Sequence, residues 1–321
     1  MKPLIYYDEV QEGYWFQGLN DELADAQVLP FPSKRSGDSV LSRLLAYDRP
    51  DVILLDGDKP VLVVERTTEV PSGHNVGQRF ARLVAAAQAH VPVVYFGPYM
   101  ARKHGGATEG PRYMNLRLFQ ALRQMSTVER SPVTTINWPV DLFYEIIQDG
   151  RKDDRVKAYL EMLFSHLSEA VGGDLFPLIM NSEFEREQET ERQEFIKNHV
   201  RNSEQYSSPP DSVQIGSWSK MSKLAPYGAH GLDSREVVLY DIGMNYIRAD
   251  PYTGMGMLYS YLYCGGVQNR TRYLVLHMPS ISFQDWRTKA SGVRRRKDID
   301  LYRIVADAIL FSDHLAFKGE L

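Results

Sequence analysis

The feature that most constrains this chain is a pair of short apolar runs with an acid at each outer end. Arg49-Pro50-Asp51 leads into the run 52–55, Asp56-Gly57-Asp58-Lys59 makes a turn, and the run 60–64 ends in Glu65. Two β-type runs joined by a Gly-containing turn predict a hairpin. In an antiparallel hairpin the start of the first strand lies beside the end of the second, so Asp51 and Glu65 are expected to meet although they are far apart in sequence. Two carboxylates at one end of an apolar hairpin are costly unless something pairs with them. A divalent cation is the natural partner, since Mg²⁺ takes oxygen ligands and often uses one or two carboxylates plus substrate phosphate.

The rest of the chain bounds what can surround this hairpin. Its 321 residues suffice for one large domain or two ordinary ones. With 43% hydrophobic and 24% charged residues, global disorder is excluded as an expectation. The one cysteine, Cys264, has no partner for an internal disulfide, which fits a reducing cytoplasm. No apolar run approaches the ~18 residues of a membrane span, and the stretch from Met1 to Glu9 lacks a signal-peptide core. A cytoplasmic protein with no membrane partner is expected. The net charge of −4 speaks against an indiscriminate nucleic-acid coat protein. It leaves room for a DNA enzyme, whose basic residues need only line one face.

Periodicity supplies the neighbours. Residues 38–46 read as a short helix capped by Asp38 or Ser39, with Val40, Leu41, Leu44 and Leu45 as its stripe. Pro71-Ser72-Gly73-His74-Asn75 breaks the pattern after the hairpin, and 76–89 is helical, with Phe80, Leu83, Val84 and Ala87 on one face. The continuous apolar run 91–96 predicts a buried strand. Further helices are expected at 114–125 and 156–171, and a solvated, charged helix bridging two lobes within 182–205. Ser207-Ser208-Pro209-Pro210 reads as a linker. Beyond it, 237–240 and 273–277 are strand-like and 301–311 helical. The expected domains are 1–180, a charged helix and linker at 181–210, and an α+β region at 211–321.

Strand alternation would put Glu65, Thr67 and Glu69 on one face if the second strand continues, so Glu69 is a further candidate metal ligand beside Asp51 and Glu65. With Pro50-Asp51, Glu65-Arg66-Thr67 and the helix and strand that follow, the chain resembles the PD-(D/E)XK nuclease superfamily over roughly residues 38–100. The resemblance implies a restriction-endonuclease-like fold: an α/β (α+β) architecture with a central mixed sheet flanked by helices. It also implies Mg²⁺ as cofactor, with Mn²⁺ as a substitute, double-stranded DNA as substrate and a homodimer as the common assembly. The departure is Thr67, which stands where the family has Lys. Some members place the cationic or polar group on the next helix. Here that helix offers Gln78 and Arg79 as catalytic candidates and Arg82 as a DNA contact; Gln78 and Arg82 are i,i+4 neighbours and Arg79 and Arg82 are i,i+3. Arginine suits phosphate oxygens. Lys59, at the hairpin tip, is too far along the strand to substitute.

Weaker signals remain. His74 is a candidate base or phosphate contact. Asp38 is read as a cap in preference to an extra acidic ligand. Arg294, Arg295, Arg296 and Lys297 form the densest basic cluster, a candidate DNA contact, and Arg270-Thr271-Arg272 is assigned to the same surface. Asp250-Pro251-Tyr252-Thr253-Gly254 reads as a turn. The alternating Tyr259, Tyr261 and Tyr263 read as a strand with an aromatic face, suited to core packing before base stacking. Asp56-Gly57-Asp58 matches the DxD of some glycosyltransferases but has the chemistry of a tight turn. There is no nucleotide-binding loop, dinucleotide fingerprint, zinc spacing or serine elbow. The leading expectation is a sequence-specific, metal-dependent DNA endonuclease. The competitor, favoured by Thr67, is an inactive nuclease-fold subunit that binds DNA or joins an assembly in defence or repair.

Overall fold

Among the described residues, apolar alternation organises the chain into two principal sheets, each flanked by helices, and a two-stranded ribbon. The computed structural model describes residues 2–32, 39–71, 75–102, 110–169, 174–228, 233–242, 249–291 and 297–321. Its contacts divide into two units. Unit 1 is Met1–Ser72, Ala81–Asn115 and Met125–Asn202; unit 2 is Gly73–Phe80, Leu116–Gln124 and Ser203–Leu321.

The elements as far as residue 202 are, in chain order, β1 (Pro3–Tyr7), α1 (Val10–Gln17), β2 (Gln27–Pro30), α2 (Val40–Leu44), β3 (Val52–Asp56), β4 (Lys59–Arg66), α3 (Asn75–Gln88), β5 (Val93–Gly97), β6 (Met100–Arg102), β7 (Pro111–Tyr113), α4 (Leu116–Glu129), β8 (Val133–Asn137), α5 (Asp154–Glu169), α6 (Leu175–Met180) and α7 (Glu183–His199). The sheet of unit 1 has the order β2-β1-β3-β4-β5-β8. Strands β1, β3 and β4 run antiparallel, and β4, β5 and β8 run parallel. The hairpin forms with Val52 opposite Val64. Its turn needs a residue at positive φ, and Gly57 supplies it at 58°. Asp56 is held there by the Lys2 backbone N–H, which donates to its Oδ1 at 2.6 Å. The Asp-Gly-Asp pattern is therefore turn chemistry.

Alternation on β4 decides which residues face which helices. Leu62 and Val64, with Val94, Phe96 and Ile136, pack against Phe16 of α1 and Tyr159, Leu160 and Leu163 of α5. Each such side chain, fully buried, stabilises the fold by roughly 1.5–3 kcal/mol. α2 is capped by Ser39, whose side chain accepts from the Ser42 N–H at 3.1 Å.

Two expectations for this unit are corrected. β4 ends at Arg66 and does not continue to residue 69. The Thr67 hydroxyl turns the chain instead, donating to the Glu69 carbonyl at 3.0 Å and accepting the Glu69 N–H at 3.2 Å. The charged helix within 182–205 is solvated on most of its surface but not all round. α7 belongs to unit 1 and lies against β8, with Glu185, Gln188 and Phe195 buried. Its polar residues are drawn in by the polar side chains of β8: Thr134 donates to Glu185 at 2.8 Å, and Asn137 donates to Glu191 at 2.8 Å.

Unit 2 continues with β9 (Val213–Gly216), β10 (Val237–Asp241), α8 (Ala249–Cys264), β11 (Tyr273–Met278), α9 (Phe283–Ala290), α10 (Lys297–Val305), β12 (Ala308–Phe311) and β13 (Leu315–Phe317). Its sheet has the order β13-β12-β11-β10-β9, with β10, β11 and β12 parallel and the two edge strands antiparallel. Here the sequence misled three times. Residues 250–254 lie in the opening of α8 and form no turn, and Gly254 and Gly77 let two backbones touch where a Cβ on either would overlap the other. Tyr259, Tyr261 and Tyr263 are helical: Tyr259 and Tyr263 stack one turn apart at 5.8 Å, while Tyr261 packs edge-on to Phe80 at 5.5 Å. A helix buried on most sides carries no stripe, so its apolar run imitates a strand. The run 301–311 divides at Asp307 into the end of α10 and β12, because the Asp307 carboxylate accepts the Leu274 N–H of β11 at 2.8 Å. Among the described residues no helix is long and apolar enough to cross a membrane.

Candidate active site

The antiparallel register that pairs Val52 with Val64 sets Asp51 beside Glu65 at the open end of the hairpin. Both are buried, at 5% and 0% exposure. Between them lies one nitrogen of Arg82, which projects from α3. Its Nη1 is 3.0 Å from Glu65 Oε1 and 3.3 Å from Asp51 Oδ1. The Arg82 Nε lies 3.8 Å from Asp48 Oδ2. The second oxygen of Asp51 accepts the Arg66 backbone N–H at 2.5 Å. A buried carboxylate pair at this separation is tolerable because a guanidinium donates to both partners.

The other candidate residues are placed as follows. Thr67 is buried, with its hydroxyl committed to the turn already described. Glu69 is exposed, because the strand has ended, and does not join the two acids. Among the described residues no three His, Cys, Asp or Glu side chains gather closely enough to hold a metal ion. Gln78 and Arg79 are half-buried on the part of α3 assigned to unit 2. Lys297 is the first residue of α10. Asp38, His74, Arg294, Arg295 and Arg296 lie outside the described residues. Arg270 is not a surface contact: it is buried and paired with Asp307, while Arg272 pairs with Glu236 at 2.8 Å.

No family model, curated protein or solved structure matches this chain.

Several site residues escaped the sequence. β1 pairs Tyr7 with Val52, and the Asp8 N–H donates to the Asp51 carbonyl at 3.0 Å, so the chain enters α1 beside the acids. Glu12 is carried there. Burial, reinforced by the Asp51 carboxylate, pushes its pKa up to about 7. On the opposite face of β4 from Glu65, the Arg66 guanidinium lies between two indole rings, 4.4 Å from Trp15 and 4.9 Å from Trp138. Burial lowers its pKa, while Asp153, Glu12 and Asp51 oppose that shift. Trp15 is fixed in turn by donating from Nε1 to Asp153 at 2.9 Å. The only sequence signal for this second cluster was Trp15 and Glu12 three residues apart, a spacing that shares a helix face.

The donor set suits a single cation better than a cluster of them. Two carboxylate oxygens from neighbouring strands converge on one positively charged nitrogen. The same pair would suit a divalent ion completed by water and phosphate oxygens.

Proposed function

We propose that unit 1 is a Mg²⁺-dependent phosphodiesterase of the PD-(D/E)XK type that cuts double-stranded DNA, with Asp51 and Glu65 as the metal-holding acids. The observation that carries this reading is the convergence of the two carboxylates on one cationic nitrogen across the open end of β3 and β4. The order of hairpin, helix and parallel strand, β3-β4-α3-β5 within a mixed sheet, supports a restriction-endonuclease-like arrangement. When bound, Mg²⁺ would polarise a phosphoryl oxygen and lower the pKa of a bound water. Arg82 is the residue that replaces the missing motif lysine. It carries forked donors suited to phosphate oxygens and holds both acids in register. Glu12, with its pKa near neutrality, is suited to exchanging a proton in the same region.

The test is a digest of supercoiled plasmid with Mg²⁺ or Mn²⁺, with ends sequenced. Wild-type protein is expected to cut, and Asp51→Asn and Glu65→Gln to abolish cutting while melting cooperatively. Undiminished cutting by both variants would remove the assignment. A second reading has its own support: Thr67 offers no cation, and Arg82 holds the acids where a metal would sit. On that reading the chain binds DNA or joins an assembly without cutting. Retention of DNA in a gel shift with no nicking under either metal would favour it.

A further inference from the structure

The three parallel strands of unit 2 each change character at the carboxyl end. On one face of the sheet the alternating residues are Val237, Leu239 and Asp241 on β10, Tyr273, Val275 and His277 on β11, and Ala308, Leu310 and then Ser312 after β12. The inner members, including Val237, Leu239, Val275, Ala308 and Leu310, form one apolar cluster. The register sets Asp241 directly opposite His277. The carboxyl ends of parallel strands are the side of an open α/β sheet on which ligands are accepted.

A loop over this face adds a cation. Trp218 and Leu224 anchor the loop in the apolar cluster, and the Trp218 indole N–H donates to the Tyr227 carbonyl at 2.8 Å. Lys223, held between these anchors, donates from Nζ to Asp241 Oδ2 at 2.6 Å and lies 3.3 Å from His277 Nδ1. The other oxygen of Asp241 pairs with His277 Nδ1. Burial alone would raise the Asp241 pKa, but hydrogen bonds from Lys223 and His277 hold it below the usual carboxylate range. With Nδ1 committed to a carboxylate, Nε2 is the ring nitrogen left for a ligand.

A shallow, open depression of about 290 Å³ lies at this point. Its polar wall is Lys223, His277 and Ser312, and its apolar wall includes Tyr227, Leu310 and Phe311. Asp241 is not part of the wall; it stands behind the two basic groups. The depression therefore presents the Lys223 ammonium and the His277 imidazole on one side, beside a Ser312 hydroxyl that donates to the Ile281 carbonyl at 3.1 Å, and an aromatic or aliphatic surface on the other. Its volume is near the lower bound of the ~300–1,000 Å³ common for small-ligand sites.

We propose that unit 2 holds a second site, at the carboxyl ends of β10, β11 and β12, that binds a small phosphate monoester through Lys223 and His277, with the apolar wall taking its aromatic or aliphatic group. Asp241 is a positioning residue: it fixes the imidazole and steers the ammonium without touching the ligand. The inference does not depend on the nuclease reading, since no residue is shared with the Asp51 site.

Two measurements on the full chain test it. In long-range ¹H–¹⁵N spectra, inorganic phosphate and dAMP are expected to move the Nε2 resonance of His277 in a saturable way. By calorimetry, dAMP should bind more tightly than inorganic phosphate, and Lys223→Met and His277→Ala should each weaken dAMP binding by about tenfold or more. Lys223→Arg should retain most of the affinity, and Asp51→Asn all of it. A His277 resonance unmoved by either ligand overturns the proposal without any variant. Equal affinity for phosphate and dAMP overturns the monoester assignment, and loss of binding in Asp51→Asn overturns the location.

Discussion

The acids that close β3 and β4 in unit 1 and the Asp241–His277 pair that closes β10 and β11 in unit 2 arise in the same way. In each, a strand that is apolar along its length ends in an ionisable residue, strand pairing sets that residue beside another, and a cation from a separate segment joins the two. Depth separates them. Asp51 and Glu65 are almost fully buried, so Arg82 balances charge that water cannot reach. The Asp241, His277 and Lys223 side chains are 26%, 14% and 38% exposed, and the two basic groups line an open depression. The same plan thus gives a closed ion cluster at depth and a ligand-facing one near the surface.

Removing the cation from each cluster tests this contrast most strongly. Arg82→Met leaves two acids buried together and should cost about 3–5 kcal/mol of stability, read as a lower denaturation midpoint in urea. Millimolar Mg²⁺ should restore part of the loss if Asp51 and Glu65 can share a metal. A midpoint unchanged by the substitution would mean that Arg82 does not balance the acids. The corresponding change in unit 2, Lys223→Met, should cost under about 1 kcal/mol, because its pairs are partly solvated. A loss equal to that of Arg82→Met would erase the difference in depth.

The pH dependence sharpens the contrast, with opposite signs. Glu185 on α7 is pushed up to about 7, chiefly by burial. A folded pKa above the unfolded 4.5 means that the folded state holds its proton longer, so stability is fullest below pH 4.5 and declines as pH rises through 7. The shift corresponds to roughly 3–3.5 kcal/mol at most, and Glu185→Gln should flatten the slope in that window. Glu12 contributes in the same direction. Asp241 acts the other way: its folded pKa is depressed, so its contribution is present at neutral pH and fades as pH falls below the carboxylate range. Urea midpoints measured from pH 2 to 8 for wild type, Glu185→Gln and Asp241→Asn would separate the two, with the Asp241 effect confined to the acid end and the Glu185 effect to the range between 4.5 and 7. The smallest of the unit 1 effects is expected from Arg66→Ala, about 1–2 kcal/mol for loss of contact with two indole rings. Tryptophan emission should shift with it, and an unchanged spectrum would argue against that stacking.

Legibility followed the range of the interactions. The hairpin, α3 and the buried β5 were readable because each is set by alternation or a helical stripe within a dozen residues. The meeting of Asp51 and Glu65 was readable because it follows from hairpin geometry. Arg82 appeared among three candidates on its helix face, but nothing local distinguished it from Arg79. Glu12 and Arg66 were hidden because β1 and α1 reach the site through pairing with β3. The tyrosines of α8 were misread because a helix buried on most sides has no polar face to reveal its period.

By itself, the sequence determined that two acids would end an apolar hairpin followed by a helix and a buried strand, since turn chemistry and side-chain alternation act over short distances. Only the tertiary structure decided which cation balances those acids, that Thr67 spends its hydroxyl on a turn, and that Asp241, His277 and Lys223 stand together. Those outcomes depend on strand order and on burial, which set the cost of every charge, and neither is written in any one stretch of the chain.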